Sequence, residues 1–185
     1  PMRNLLIGWW RPGDKTLIIP YSTKIGKGLL MAHAYATVLN AESIGDNFSF
    51  IHCTTIGKSG SLRPVIGNNV SFGANVVIIG GVKIGNNVFV GAKSVILPGV
   101  VVGNNVVIYE NNRIEKGSII GDNVTLLPGN HIINAKIESN VQIESSHIES
   151  SIIHSGAVVG PFARLRPNAE ICENAKKRSR PPLLF

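Results

Sequence analysis

The chain has 185 residues, of which 44% are hydrophobic and only 6% aromatic, and a formal net charge of +7. This length allows one substantial core and predicts a single domain. No apolar run approaches the roughly 20 residues of a membrane helix, and the N-terminus lacks the charged segment, apolar segment and cleavage site of a secretory signal, so we predict a cytoplasmic protein without a membrane partner. Cys53 and Cys172 lie far apart without metal-site spacing, which predicts reduced thiols and no metal site.

Two terminal segments lie outside the regular pattern that fills the rest of the chain. Residues 1–17 contain both tryptophans, Trp9 and Trp10, and we predict an N-terminal cap over the open end of the fold. Residues 173–185 are basic and Pro-rich, and four cations lie in the last ten positions. Such a run can bind nucleic acid. Because no aromatic residues or binding motif accompany it, we predict a solvated tail and no nucleic-acid partner.

A six-residue repeat organises the middle of the chain. Between residues 66 and 132 every sixth residue is large and apolar, and the text repeats as IGNNVSFGAN, IGNNVFVGAK, VGNNVVI and IGDNVTL. The twelve positions are Ile66, Phe72, Ile78, Ile84, Val90, Ile96, Val102, Ile108, Ile114, Ile120, Leu126 and Ile132. A short fixed period with Gly and Asn at the turns is typical of a solenoid of parallel β-strands, in which each repeat buries its face against its neighbours.

The same period predicts where the repeat begins, breaks and resumes. It begins at about Ile18, and one extra residue shifts it to Val38. The segment KSGSLRP, residues 58–64, adds four residues and is predicted to form an outward loop. Residues 144–151 (ESSHIESS) do not fit the period, which resumes at Ile153 and ends near Cys172.

Residues 18–100 resemble serine acetyltransferases and the related capsule-sugar O-acetyltransferases, from IPYSTKIGKGLLMAHAYATVLN through IGKSGSLRPVIGNNVSFGAN. This resemblance to hexapeptide-repeat acyltransferases implies three hexads per coil. It therefore implies an all-β, single-stranded left-handed parallel β-helix of about eight coils. Residues 18 apart would then lie above one another, so that Ile66, Ile84 and Val102 belong to one buried ladder.

Residues from about 112 onward resemble a different enzyme of this fold. The text RIEKGSIIGDNVTLLPGN and the motif GPFARLRP are similar to the acetyltransferase domain of the bifunctional N-acetylglucosamine-1-phosphate uridyltransferase. We therefore divide the solenoid into residues 18–110 and 111–172, continuous with each other, and a natural or engineered chimera stays open. The partners of Arg164 in the uridyltransferase site come from coils beyond this chain's end, so Arg164 and Arg166 are predicted to be surface residues without that function.

The first resemblance implies a catalytic base. Serine acetyltransferases use a histidine to deprotonate the acceptor hydroxyl, which attacks the thioester of acetyl-CoA, and the matching residue is His33. Moving up one coil at a time from His33, with the two insertions included, reaches His52, Ala74 and Ala92. We interpret His52 as a groove wall that contacts substrate. His131, His147 and His154 share no spacing and are predicted to be exposed turn residues.

The small residues above the histidines predict a groove for acetyl-CoA. Gly73 precedes Ala74 and Gly91 precedes Ala92, which leaves room for the pantetheine arm beside free backbone groups. Lys93 and Lys58 are candidates to bind the CoA phosphates, and the 58–64 loop is expected to cover the groove. By resemblance, Arg63 binds the acceptor, a small molecule, and the groove forms between the subunits of a homotrimer.

The alternative is a catalytically inactive scaffold, natural or engineered by joining two hexapeptide-repeat proteins. In serine acetyltransferases an Asp orients the base, but this chain has Ile18 there, and Ala32 replaces the Asp directly before the base. The family's Arg-His pair in the loop is reduced to Arg63-Pro64, which favours a sugar over serine as the acceptor.

Overall fold

The computed structural model describes residues 16–177. Within this range the chain forms 27 short strands and no helix. All pairings between strands are parallel, and every third strand belongs to the same sheet, so that three nine-stranded sheets enclose one core. The predicted three-sided β-solenoid is confirmed with nine turns rather than about eight, and it is consistent with the left-handed β-helix. Residues 1–15 of the predicted cap, with Trp9 and Trp10, lie outside the described residues, and Leu17 belongs to the first strand.

Each turn contributes one strand to each sheet, in the order sheet 1, sheet 2, sheet 3. Sheet 1 contains β1 (Leu17–Ile18), β4 (Thr37–Leu39), β7 (Thr55–Gly57), β10 (Val77–Ile79), β13 (Val95–Ile96), β16 (Arg113–Glu115), β19 (His131–Ile133), β22 (His147–Glu149) and β25 (Arg164–Leu165). Sheet 2 contains β2 (Lys24–Ile25), β5 (Ser43–Ile44), β8 (Val65–Ile66), β11 (Lys83–Ile84), β14 (Val101–Val102), β17 (Ile119–Ile120), β20 (Lys136–Ile137), β23 (Ile152–Ile153) and β26 (Glu170–Ile171). Sheet 3 contains β3 (Leu30–Ala32), β6 (Ser49–Ile51), β9 (Ser71–Phe72), β12 (Phe89–Val90), β15 (Val107–Ile108), β18 (Thr125–Leu126), β21 (Gln142–Ile143), β24 (Val158–Val159) and β27 (Lys176–Lys177).

The buried ladders follow the predicted spacing in the regular region. Ile84 pairs with Ile66 below and Val102 above, in sheet 2. All twelve residues of the six-residue repeat are at most 4% exposed, so they form the core. Because each apolar residue is covered by the coil above and the coil below, the stack buries a surface that no single coil could bury.

The corners between sheets turn through left-handed residues, and most of those that are not glycine are asparagines. Between sheets 2 and 3 the φ angles of Asn69, Asn87 and Asn105 are 54°, 56° and 55°. Asparagine tolerates this conformation better than other non-glycine residues. Asn69 Nδ2 donates to Asn87 Oδ1 at 2.9 Å, and Asn87 Nδ2 donates to Asn105 Oδ1 at 3.0 Å. These exposed asparagines therefore shape the corner and connect successive coils.

A second asparagine ladder lies inside the corner between sheets 3 and 1. Asn112 and Asn130 are each 1% exposed, and Asn130 Nδ2 donates to Asn112 Oδ1 at 2.9 Å. The Asn130 amide also donates to the carbonyl of Leu127, while Ser146 N–H donates to Asn130 Oδ1 at 2.9 Å. Because each buried polar group has a partner, the ladder costs little desolvation energy and holds three coils in register.

The predicted start of the repeat is wrong by one residue. Leu39, not Val38, is the buried residue and pairs with Ile56, while Val38 faces outward opposite Thr55. Ile18 pairs with Val38 and is 49% exposed, so it is not a core position either. The corner before Leu39 is one residue longer than the apolar pattern indicates. Val38 and Leu39 are both apolar, so the pattern alone does not decide which of the two is buried.

The segment 144–151, predicted to lie outside the repeat, lies within it. Ile148 is fully buried and pairs with Ile132. The corners on both sides are one residue shorter than usual, with Ser145 and Ser150 in left-handed conformations (φ 41° and 44°). Shortening a corner preserves the strand register, so the buried ladder continues although the six-residue period does not.

The repeat also extends beyond Cys172, where the sequence pattern predicts its end. Strand β27 pairs with β24, with Lys177 opposite Val159. In the described part of the chain, no helix has the length and apolar character to cross a membrane.

The corrected place of Ile148 predicts two different mutational effects within one short segment. Ile148→Ala should lower the free energy of unfolding by about 2–5 kcal/mol, because it leaves a cavity in the core. Ile152→Ala, at a residue 39% exposed, should change it by no more than about 1 kcal/mol. Urea titration followed by far-ultraviolet circular dichroism measures both values. Equal effects of the two substitutions would contradict the position of Ile148 in the core.

The imidazole of His154 joins three coils of sheet 2 through two carboxylates. Nε2 of His154 lies against Glu170, and Nδ1 lies 3.2 Å from Glu138 Oε2. The hydrogen bond with Glu170 first, and that with Glu138 second, raises the pKa of His154 above its ordinary value. The side-chain hydrogen bond from Lys136 first, and that from His154 second, lowers the pKa of Glu138.

This arrangement predicts stabilisation that is lost as the pH rises. A histidine whose folded-state pKa is raised stabilises fully below its unfolded pKa of about 6.5 and loses the effect as pH rises through the folded value. The difference in thermal midpoint between wild type and His154→Gln should therefore be larger at pH 6 than at pH 9. Glu170→Gln should reduce this pH dependence. A difference that is equal at both pH values would show that His154 does not act through its charge.

Candidate functional site

An apolar groove of about 510 Å³ lies on the outer face of sheet 3, over the lower coils. It is lined by Leu30, Ala32, Ser49, Phe50, Ile51, Ser71, Phe72, Gly73, Ala74, Phe89 and Ala92. Its volume lies within the range of about 300–1,000 Å³ that is usual for small-molecule sites.

The groove exists because small outward residues lie between large ones. In the outward row of sheet 3, Ser49 and Ser71 pair with each other, while Leu30 lies below them and Phe89 above. The Ser49 hydroxyl donates to Ser71 Oγ at 2.8 Å, so the two serines satisfy each other. Leu30 and Phe89 are 63% and 40% exposed and bound the groove at its ends.

The structure stacks His52, Ala74 and Ala92 of the predicted column at the corner between sheets 3 and 1. The backbone position below His52 is taken by Tyr35 and not by His33, since Cys53 N–H donates to the carbonyl of Tyr35 at 3.0 Å. Asn75 N–H donates to the carbonyl of His52 at 3.1 Å, and Lys93 N–H donates to that of Ala74 at 2.9 Å. His52, Ala74 and Ala92 therefore occupy equivalent positions in successive coils, with the two alanines lining the groove. His33 directly follows Ala32, which pairs with Ile51, so it lies in the coil below His52.

The two histidines differ in their surroundings. His33 is exposed in a left-handed conformation (φ 53°). His52 is half-buried, and its ring stacks on that of Tyr35 with centroids 4.9 Å apart and an interplanar angle of 5°. Tyr35 belongs to the longer corner of the lowest coil, where the repeat is interrupted, and for that reason the six-residue period gave no signal for its contact with His52.

One ring nitrogen of His52 has no partner. Among residues 16–177, Nδ1 of His52 is the one buried side-chain nitrogen or oxygen without a hydrogen bond. Buried polar atoms are normally paired, and an exception calls for a physical reason.

Gly73 and Gly91 have a packing role that the sequence pattern does not reveal. A Cβ atom on Gly73 would lie 2.7 Å from the nitrogen of Ala92, and one on Gly91 would lie 2.5 Å from the nitrogen of Glu110. These distances are too short for any side chain. Both glycines are therefore required for the coil above to approach, whether or not a ligand occupies the groove.

Lys58 and Arg63 lie away from the groove, at the corner between sheets 1 and 2. They line a separate polar pocket of about 390 Å³ with Pro20, Ser22, Asn40, Gly60 and Ser61. Arg63 forms an ion pair with Glu42 and donates to Ser22 Oγ at 2.8 Å. Lys93 is exposed at the other corner, directly after Ala92. Within one chain, the structure therefore does not bring Lys58 or Arg63 to the groove, and the 58–64 loop does not cover it.

The loop at 58–64 closes on itself. Ser59 and Leu62 exchange backbone hydrogen bonds of 3.0 and 3.1 Å around Gly60, whose φ of +59° suits a tight hairpin turn. Leu62 packs close to Gly81 in the next coil, where an added Cβ would lie 3.3 Å from Leu62 Cδ1.

The upper half of sheet 1 carries a ladder of arginine and histidine side chains. Arg113, His131, His147 and Arg164 pair in successive strands, and the rings of His131 and His147 lie 5.1 Å apart. The prediction that His131 and His147 are turn residues without common spacing is wrong, because shortened corners bring them into register. Hydrogen bonds from His131, first, and from Arg113 lower the pKa of Glu115.

Histidine, cysteine and carboxylate side chains do not form a cluster suited to a metal ion in the part of the chain that the structure describes. No group of three or more His, Cys, Asp or Glu residues is arranged there to hold a metal ion. Cys53 and Cys172 are free thiols.

Comparison with known proteins finds similarity to several acyltransferases. Residues 63–98 match the family described as bacterial transferase hexapeptide (six repeats). Serine acetyltransferase 1, chloroplastic, of Arabidopsis thaliana is 41% identical over 66 residues, which are 33% of this chain and 21% of that protein. The putative colanic acid biosynthesis acetyltransferase WcaB of Escherichia coli K12 is 42% identical over 70 residues, covering 36% of this chain and 43% of that protein. The bifunctional protein GlmU of Latilactobacillus sakei is 60% identical over 40 residues, covering 22% of this chain and 9% of that protein.

Both resemblances found in the sequence are thus confirmed as sequence similarity. The chain spans less than half the length of each of these curated relatives. Among solved structures, the UDP-N-acetylglucosamine acyltransferase from Campylobacter jejuni aligns with a TM-score of 0.60 at 18% identity, over 83% of this chain and 71% of that chain. At this identity the likeness concerns the fold alone.

The packing of the glycines predicts that an added methyl group destabilises the fold at Gly91 and leaves its stability unchanged at Gly57. Gly91→Ala should lower the free energy of unfolding by about 1–3 kcal/mol, because the added carbon overlaps the backbone of Glu110. Gly57→Ala is the control, since a Cβ there meets only ordinary contacts at 3.7 and 3.8 Å. Chemical denaturation measures both. A neutral Gly91→Ala would show that the groove, not coil packing, explains this glycine.

Proposed function

We propose that the chain is an acetyl-CoA-dependent O-acetyltransferase acting on a hydroxyl of a small acceptor, because residues 63–98 match a hexapeptide transferase family and the similar proteins include acetyltransferases. The observation that carries this proposal is the apolar groove on sheet 3, whose lining includes Ala32 and Ile51, the residues directly before His33 and His52, although neither histidine lines it.

The groove suits the pantetheine arm of the donor. Its lining is largely apolar, and Gly73, Ala74 and Ala92 let an extended ligand approach the backbone. Lys93 is exposed directly beyond Ala92 and would meet the CoA phosphates.

His33 would act as the general base. It accepts the proton of the acceptor hydroxyl while that oxygen forms a bond to the thioester carbon. The bond from carbon to sulfur then breaks, and His33 returns the proton to the CoA thiolate, giving an acetyl ester and CoA. His33 suits this role because it is exposed and directly follows Ala32, which lines the groove.

The site would be completed by a neighbouring subunit. Lys58 and Arg63 lie at the corner between sheets 1 and 2, whereas the groove lies on sheet 3. In a homotrimer, the corner of one copy would meet the groove of the next, so that Arg63 binds the acceptor, Lys58 binds a CoA phosphate and the 58–64 loop covers the site.

A catalytically inactive scaffold is the second candidate. Two observations favour it: the coil packing that requires Gly73 and Gly91 without any ligand, and the apolar residues at the positions of the family's carboxylates. Ile18 pairs with Val38 on the outer face of sheet 1, where it provides no group to orient a histidine.

A single set of assays separates the two functions. Isothermal titration with acetyl-CoA measures binding, and release of free CoA in the presence of hydroxylated sugars or serine measures turnover. We expect wild type and His33→Ala both to bind acetyl-CoA, and we expect turnover by His33→Ala to be at least about 100-fold lower than turnover by wild type. His147→Ala, which removes a histidine from the distant upper coils, is the matched control and should keep full activity.

The outcomes are distinct. Binding with turnover that depends on His33 supports the transferase. Binding without turnover on every acceptor supports the scaffold, and absence of binding contradicts the transferase outright. Sedimentation equilibrium tests the trimer on which the completed site depends.

A further inference from the structure

The geometry points to His52 as a hydrogen-bond donor to the carbonyl oxygen of the transferred acetyl group, where it stabilises the oxyanion that forms during transfer. This inference rests on the proposed function and assigns His52 a role distinct from that of the base His33. The donor atom is Nε2, and Tyr35 holds the ring in place.

The first step concerns which ring nitrogen carries the proton. A neutral imidazole has one N–H donor and one bare nitrogen that accepts. Nδ1 of His52 is buried without a partner among the described residues. An orphaned buried N–H is rarer in proteins than an orphaned acceptor, so the bare nitrogen belongs at Nδ1 and the proton at Nε2.

The second step concerns the direction of that donor. Nε2 is not among the buried side-chain atoms that lack a partner in the described residues. His52 follows Ile51, which lines the groove, and lies directly below Ala74 in the stack. His52 is not itself one of the groove-lining residues, so we place its Nε2–H at the lower end of the groove through these two neighbours.

The third step concerns rigidity. The Tyr35 ring lies parallel to that of His52, at 4.9 Å between centroids. The backbone of Tyr35 is itself fixed: its N–H donates to the carbonyl of His33 at 2.8 Å, and its carbonyl accepts from Cys53 N–H at 3.0 Å and from Thr37 Oγ1 at 3.1 Å. A donor held in this way loses little entropy when charge develops on the oxygen, which is the property that such a group needs.

The two histidines then divide the reaction between them. As the acceptor oxygen bonds to the carbonyl carbon, its proton passes to His33 and the carbonyl electron pair moves onto the carbonyl oxygen. His52 donates Nε2–H to that oxygen without giving up its proton. When the carbonyl re-forms, the bond to sulfur breaks and the CoA thiolate takes the proton from His33.

Substitutions of His52 test this role. His52→Ala should lower kcat by about 100- to 1,000-fold, as is typical for loss of one oxyanion donor. His52→Gln, whose terminal amide can donate from a similar position, should retain kcat within about tenfold of wild type. Its pH profile should keep the shape of the wild-type profile, because the base is unchanged. Tyr35→Phe keeps the stack and should be active, whereas Tyr35→Ala should lose activity.

A readout independent of turnover accompanies these assays. The nitrogen-15 spectrum of the His52 ring, recorded at pH 8, where a histidine ring ordinarily carries one proton, identifies the tautomer. We expect a bare Nδ1 and a protonated Nε2, with His52→Gln used for assignment.

Each result has one meaning. A protonated Nδ1 overturns the inference, as does a His52→Gln variant as inactive as His52→Ala, which would make His52 a base. Absence of turnover by the wild type contradicts the proposed function and the catalytic step; the tautomer spectrum still decides whether His52 is an Nε2–H donor.

Discussion

Contact between successive coils is the interaction on which the whole molecule depends. Every core residue, such as Ile84 between Ile66 and Val102, is buried only because the coil above and the coil below cover it. The same contact sets the corners, where Gly91 has no space for a side chain beneath Glu110. Most residues are therefore constrained by the need of each coil to fit the coils above and below it. The residues that remain free to take part in chemistry are those that point outward or lie in irregular corners.

The sequence predicts the regular part of the fold well and the irregular part poorly, for a physical reason. A fixed period identifies core residues wherever corners have constant length. It misses Leu39 and Ile148, because the corners near them gain or lose a residue while the strands stay in register. Backbone pairing between strands, not residue count, decides register, and a linear period does not contain that information.

The candidate site shows the same division. The stack of His52, Ala74 and Ala92 follows from counting residues, and the structure places these three as counted. The Tyr35 ring against His52 does not follow, since it depends on the conformation of an interrupted corner. The separation of Arg63 from the groove does not follow from the sequence either. A six-residue period assigns strands to the three sheets, but it does not say at which corner a long loop lies relative to the groove. The division of the chain near residue 110 stays a prediction.

Corners of variable length also bear on how the chain folds. Paired residues of adjacent coils are 22 residues apart in the sequence at Ser49 and Ser71, and they are nearer in the sequence at His131 and His147. The sequence separation between contacting residues therefore stays short and nearly uniform from one end of the solenoid to the other. No pairing joins distant parts of the sequence among the described strands. Loop-closure entropy is then similar for every coil, and folding can begin at any well-packed pair and extend in both directions. An insertion such as residues 58–64 delays one closure step without changing the order of the rest.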